Sequence, residues 1–168
     1  MKKWLVMLFA LMGIALCFIP YDRSITFTET RIENPNVYYR QLQNDLHFQI
    51  IFTHSIHLTD VKESYEVLPS NEFQLLAMEY SDVAIGMPSY AEDGQTLQYE
   101  DGVYTLRYED ARLEDFILHI GDVDYKLELR HDGKVIPLKE QLTRGKSYEV
   151  KVQKLSVYDK VKGVELDD

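Results

Sequence analysis

The clearest pattern in the chain is period-two alternation between residues 46 and 54. Leu46, Phe48, Ile50, Phe52 and His54 share one face, and His47, Gln49, Ile51 and Thr53 share the other. Adjacent strand residues point to opposite faces, so the segment predicts a half-buried strand ending on a histidine. Further strands are predicted over 24–29, 64–68, 72–80, 103–109 and 114–120, bounded by turn residues. The run Leu75-Leu76-Ala77-Met78 is apolar on both faces, which suits a central strand. Val123, Tyr125, Leu127 and Leu129 alternate with Asp124, Lys126, Glu128 and Arg130. Asp132-Gly133 then tolerates positive φ, a hairpin signal, and Val135 to Leu138 returns along it. A last strand sets Tyr148, Val150 and Val152 against Glu149, Lys151 and Gln153. Residues 31–45 and 55–63 are polar and read as loops, and 89–102 as a turn-rich acidic loop or short hairpin.

Eight to nine short strands with frequent turns predict an all-β fold. The expected architecture is a single antiparallel β-sandwich, with a closed barrel as the alternative, after one N-terminal membrane-spanning helix. The expected layout is a signal-anchor or signal peptide over 1–20 and a juxtamembrane strand and linker over 21–45. The β domain then occupies 46–157, and a frayed acidic tail 158–168.

The N-terminus departs from this strand pattern. Lys2 and Lys3 precede a continuous apolar run from Trp4 to Ile19, stopped by Pro20. A basic start followed by an apolar core is the layout of a signal sequence. No Ala-x-Ala cleavage site is present, and Leu16 before Cys17 does not fit a lipoprotein site. The run is therefore read as a retained signal-anchor through residues 4–19, with cleavage and secretion as the competing outcome. Lysines flanking a span stay in the cytoplasm, so everything from Tyr21 onward is expected outside. Cys17 is the only cysteine, which leaves the domain without a disulfide, thiol nucleophile or thiolate metal site.

Charge narrows the partners. The formal net charge is −10, and −12 for residues 21–168 once Lys2 and Lys3 are set aside. An acidic surface argues against nucleic acid and anionic lipid headgroups as main partners, since both require clustered basic residues. A solvated, dispersing surface accounts for the charge, and a basic partner is the alternative.

The chemistry-bearing residues gather around the first strand. His54 ends it on the inward face, while Ser55 turns the other way, which argues against a base and nucleophile pair. His54 is placed to hydrogen-bond Glu63 or Tyr65 across the following turn and so organise the loop, or to line with Glu63 a pocket for a small ligand or cell-wall component. His54 and His57 are the weak candidates for a metal; the zinc-protease pattern is absent because Ser55 stands where its glutamate would be. His47, His119 and His131 are expected at the surface. Gly86-Met87-Pro88 follows a central strand, either as backbone punctuation or as a loop rim shaped for a partner. No catalytic residue and no cofactor is implied.

Thr53-His54-Ser55-Ile56, Glu63, the Tyr80 to Gly86-Met87-Pro88 stretch and His131-Asp132-Gly133-Lys134-Val135-Ile136-Pro137-Leu138 together resemble the bacterial domain of unknown function 1850 family. The resemblance covers roughly residues 45–153. It implies a small anchored or exported protein, of a kind often encoded beside TAXI-type TRAP transporters for organic acids. The implied role is accessory, with a transporter subunit or its solute-binding protein as partner. The residues carried over are His54, Ser55, Glu63, Gly86, Met87 and Pro88. His57 stands where an acidic residue is expected, and Asp60 where a proline is common, which departs from any shared ligand needing that acid.

Overall fold

In the computed structural model the alternation between residues 46 and 54 becomes a strand that anchors the larger of two sheets. The structure describes residues 2–83 and 86–167, with the backbone alone at Lys2. Five strands, β1 (Asp22–Glu29), β2 (Val37–Gln41), β3 (His47–Thr53), β4 (Asp60–Val67) and β5 (Phe73–Tyr80), are followed by β6 (Gln95–Glu100) and β7 (Val103–Leu113). Then come β8 (Asp115–His119), β9 (Leu127–His131), β10 (Lys134–Pro137), β11 (Ser147–Leu155) and β12 (Val164–Glu165). Three helices accompany them: α1 (Lys2–Leu16), α2 (Leu138–Gln141) and α3 (Val157–Lys162).

The seven-stranded sheet runs β10-β9-β3-β4-β5-β7-β6 and the five-stranded sheet β12-β2-β1-β11-β8. Every pairing is antiparallel except the short β12 with β2. The inward faces meet in one core, where Ile25, Phe27, Tyr148 and Val150 oppose Phe48, Ile50, Tyr65, Phe73 and Leu129. Both sheets keep open edges, so the fold is two packed sheets and the closed barrel is ruled out. The Asp132-Gly133 hairpin forms as its residues require, with φ of 52° and 72° joining β9 to β10.

A second, smaller core fills the end of the larger sheet. Val61, Tyr80 and Leu106 are buried there against Phe52, Met78, Val83, Met87 and Tyr104. Val83 and Met87 come from the segment after β5, so a loop supplies part of the cover.

Several expectations are corrected. The segment read as a juxtamembrane linker holds β2, which pairs with β1 across Ser24 to Thr28. The tail is structured through Leu166: α3 packs against β11, β12 pairs with β2, and Leu166 is fully buried. Ser156 caps α3 by accepting from the Asp159 N–H at 3.1 Å, and Asp159 accepts from the Ser156 N–H at 2.9 Å. β4 begins at Asp60 rather than 64, because Lys62 and Glu63 already pair with Ile51 and Ile50. In the acidic region the hairpin alternative holds, with edge strand β6 pairing antiparallel with β7.

The expected membrane-spanning helix over 4–19 is also corrected. Helix α1 is 15 residues long, about 22 Å at 1.5 Å per residue. Among the described residues no helix is long and apolar enough to cross a membrane. The chain leaves the helix early because the residue before Pro20 is steered out of the α region. Cys17, Phe18 and Ile19 instead donate to the carbonyls three residues back, at 3.0, 3.1 and 3.3 Å.

Candidate functional site

Strand β3 ends where Thr53 pairs with Asp60, and a tight loop begins. The His54 N–H donates to the Thr59 carbonyl at 2.8 Å, and the Leu58 N–H donates to the His54 carbonyl at 2.9 Å. Leu58 takes a φ of 56° to close the turn. His54 therefore sits at the base of the loop, outside the strand, and the alternation that set it against Ser55 stops at Thr53. Ser55 is exposed and has no hydrogen bond to His54.

The two loop histidines form one unit. Their rings stack with centroids 5.1 Å apart and planes 20° from parallel. His54 Nδ1 accepts from the Ile56 N–H at 3.4 Å, which leaves the proton on Nε2. His57 Nδ1 lies 3.4 Å from an oxygen of Asp82, on a side chain only 15% exposed. His57 Nε2 is buried without a hydrogen-bond partner. The contact with Asp82 gives a reason for a histidine at 57: an acid there would face another acid. Near-parallel rings point their lone pairs along separate planes, a poor arrangement for one ion. Among the described residues no three His, Cys, Asp or Glu side chains gather as a metal site.

Glu63 belongs to a different place. It lies on the inward face of β4, opposite Ile50 and Met78. Its carboxylate accepts from the Tyr65 hydroxyl at 2.7 Å. Burial pushes the Glu63 pKa up, and the hydrogen bond from Tyr65 opposes part of that rise. Burial, then the neighbouring Glu63 charge, pushes the Tyr65 and Tyr108 phenols up as well. The expected bond from His54 to Glu63 or Tyr65 does not form. Glu63 pairs three residues inside the strand end, about 10 Å from it, beyond the reach of a loop histidine.

The Gly86-Met87-Pro88 stretch is pinned at each residue. Gly86 has a φ of +92°, and a Cβ there would meet His54 Nε2 at 3.6 Å. Met87 packs into the second core. The Pro88 carbonyl accepts from the buried Tyr80 hydroxyl at 2.6 Å. Between this stretch and strands β6 and β7 runs a groove of about 390 Å³, lined by Met87, Pro88, Tyr90, Glu92, Gln95 and Tyr108 among others.

The fold thus brings His54 to Gly86 and sets Met87 and Pro88 beside them. It keeps Ser55 and Glu63 apart from His54. Sequence reasoning missed Asp82 and Tyr108, and it named Tyr80 at the head of the Gly86 stretch without its bond to Pro88. His131 was expected at the surface and is instead 3% exposed. It ends β9, accepts from Arg40 Nε at 3.2 Å and lies 3.0 Å from the Asp45 carbonyl.

Neither the curated proteins nor the solved structures compared with the chain contain a match. A family model described as a domain of unknown function, DUF1850, matches residues 48–138. That span is narrower than 45–153, and it holds β3 from Phe48 onward and the strands through β10, with the paired histidine loop, Glu63 and the Gly86 stretch. It covers more than half of the sequence, and the chain belongs to the DUF1850 family.

Proposed function

We propose that the chain is a membrane-tethered, extracytoplasmic interaction module that assists a TRAP-type organic-acid transporter. The apolar segment from Trp4 to Ile19 is the tether, and the domain reads a transporter subunit or its solute-binding protein. The reading is of a binding module rather than an enzyme.

The single observation that carries it is the separation of the tether from the loops. The tether enters beside β1, where the Tyr21 N–H donates to the Leu155 carbonyl at 3.2 Å. Arg23 on that strand reaches the Leu68 carbonyl at 2.6 Å, just past the end of β4. The histidine loop lies at the other end of β4, about 23 Å away at 3.3 Å per residue. Ile56 and Leu58 on that loop are exposed apolar side chains. A domain held by α1 would offer them away from its tether. Lys3 through Pro20 are exposed, with an apolar surface all round α1 that needs cover. The transporter link rests on the family resemblance.

The test is a photo-crosslinking residue at Leu58 in native membranes, beside one at Ile117. Position 58 is expected to capture a transporter subunit or solute-binding protein, and 117 is not. Normal organic-acid uptake after deletion, with no adduct from 58, overturns the reading. The groove under Gly86 to Tyr90 favours a second reading, a small-ligand or cell-wall binding site. In that case Tyr108→Phe should weaken ligand retention while the melting temperature holds.

A further inference from the structure

Helix α3 turns apolar side chains toward solvent. The helix carries Val157, Tyr158 and Val161, yet none of its residues is buried. Val157 and Val161 are four apart, so they share one face of the helix. Val161 is 80% exposed. The helix is nonetheless firmly held. Its capping box occupies Asp159, and Lys160 pairs with Asp22 on β1.

This face is continuous with the end of α1. The Tyr158 N–H donates to the Cys17 carbonyl at 3.0 Å, and the Tyr158 ring packs on Phe18 with centroids 4.9 Å apart. Lys162 lies over the Tyr158 ring at 5.3 Å, and Lys160 over the Tyr21 ring at 5.5 Å. Lys154 is exposed just ahead of the helix. Aromatic rings with apolar bodies and polar tips, flanked by lysines that snorkel, are the composition of a membrane–water interface.

We propose that α3 and the Phe18–Tyr21 turn form a collar that docks on the phospholipid surface. Val157, Tyr158 and Val161 enter the headgroup region, and Lys154 and Lys162 meet lipid phosphates. A domain with net charge −12 would otherwise be repelled by an anionic leaflet, so local lysines at the point of contact matter. The collar gives the domain a second hold and fixes its tilt, so the histidine loop keeps one height above the membrane. The proposal rests on the tether reading above, but its contact can be measured separately.

The test uses the full chain with Cys17→Ser, reconstituted in vesicles of three parts zwitterionic to one part anionic phospholipid. Single cysteines at Leu8, Tyr90 and Val161 each carry a fluorophore. A nitroxide lipid with a shallow label, one with a deep label, and aqueous iodide serve as quenchers. Position 161 is expected to respond to the shallow nitroxide and resist iodide, 90 to do the reverse, and 8 to respond to the deep nitroxide. Lys154→Glu with Lys162→Glu should cut shallow quenching at 161 by about twofold, more in anionic than in neutral vesicles. If 161 behaves like 90 while 8 is quenched, the collar is overturned and the tether stands. If 161 is quenched and 8 is not, the collar stands and the tether fails. If neither is quenched, both are overturned.

Discussion

Tyr65 donates its hydroxyl to Glu63 at 2.7 Å from two positions further along the same strand, on the same inward face. Glu63 lies between Val61 in one core and Tyr65 in the other, so its charge has little water around it. Its raised pKa means that ionisation costs folding free energy. The favourable contribution is complete below the usual glutamate pKa and is lost as pH rises through the raised value. Glu63→Gln keeps an acceptor for Tyr65 and removes the charge. The variant is expected to melt a few degrees above the parent at pH 8, with the gap closing toward pH 4. Thermal unfolding across that range checks it, and an equal gap at both ends overturns the account.

Tyr65→Phe removes the donor and leaves the carboxylate alone. The ring still stacks on Phe48, with centroids 5.0 Å apart, so packing is largely kept. The expected loss is about 1–3 kcal/mol at pH 8, the range for orphaning a buried polar group. The loss should shrink at pH 4, where the acid is neutral, and in combination with Glu63→Gln. Urea unfolding of the two single variants and the double variant measures the coupling.

The strands with strict alternation were legible because each signal is local. The β3 pattern and the Asp132-Gly133 turn need nothing beyond their own residues. Strand β2 was hidden because Tyr39 and Arg40 are buried on both sides by distant parts of the chain. Tyr39 is covered from the α3 region, where its ring lies near Gly163, and Arg40 is held by His131 and the Leu166 carbonyl. The candidate site was legible as a set of residue types and illegible as a geometry. Strand alternation was carried one residue too far at His54, where the ladder had ended. Asp82 and Tyr80 join the loop residues only because β5 returns beside β4.

At Gly86, substitution is expected to act through the backbone. A Cβ would stand 3.6 Å from His54 Nε2, which is ordinary contact, while a φ of +92° is costly for any other residue. Gly86→Ala should therefore lose about 1–2 kcal/mol. Because no clash is involved, His54→Ala should not restore it. A double-mutant cycle of G86A with H54A is expected to show near-additive losses. A large rescue would mean that the imidazole, rather than φ, sets the cost.

Tyr80 latches the segment after β5. Its hydroxyl reaches the Pro88 carbonyl at 2.6 Å, and its ring stacks on Tyr104 with centroids 5.6 Å apart. Tyr80→Phe removes the latch and keeps the stack. Global stability should fall by only about 0.5–1.5 kcal/mol, the net value of one hydrogen bond. Hydrogen exchange should rise selectively across residues 86–94, with β3 and β9 unchanged. Uniform acceleration throughout the chain would show that the segment is not a separate unit.

His131 supplies the last case, because its two ring nitrogens tie together elements far apart in sequence. Nδ1 accepts from Arg40 on β2, so the proton sits on Nε2, which donates to the Asp45 carbonyl ahead of β3. The interaction joins the five-stranded sheet to the seven-stranded one, and both Arg40 and His131 are buried. His131→Ala would leave the Arg40 Nε–H and the Asp45 carbonyl without this partner. The expected loss is about 2–4 kcal/mol. His131→Gln retains an oxygen and an amide on a chain of similar reach, and should recover part of it. Chemical denaturation of the two variants separates a hydrogen-bonding role from simple filling of space. If Leu at 131 is as stable as His, the ring serves only by its volume.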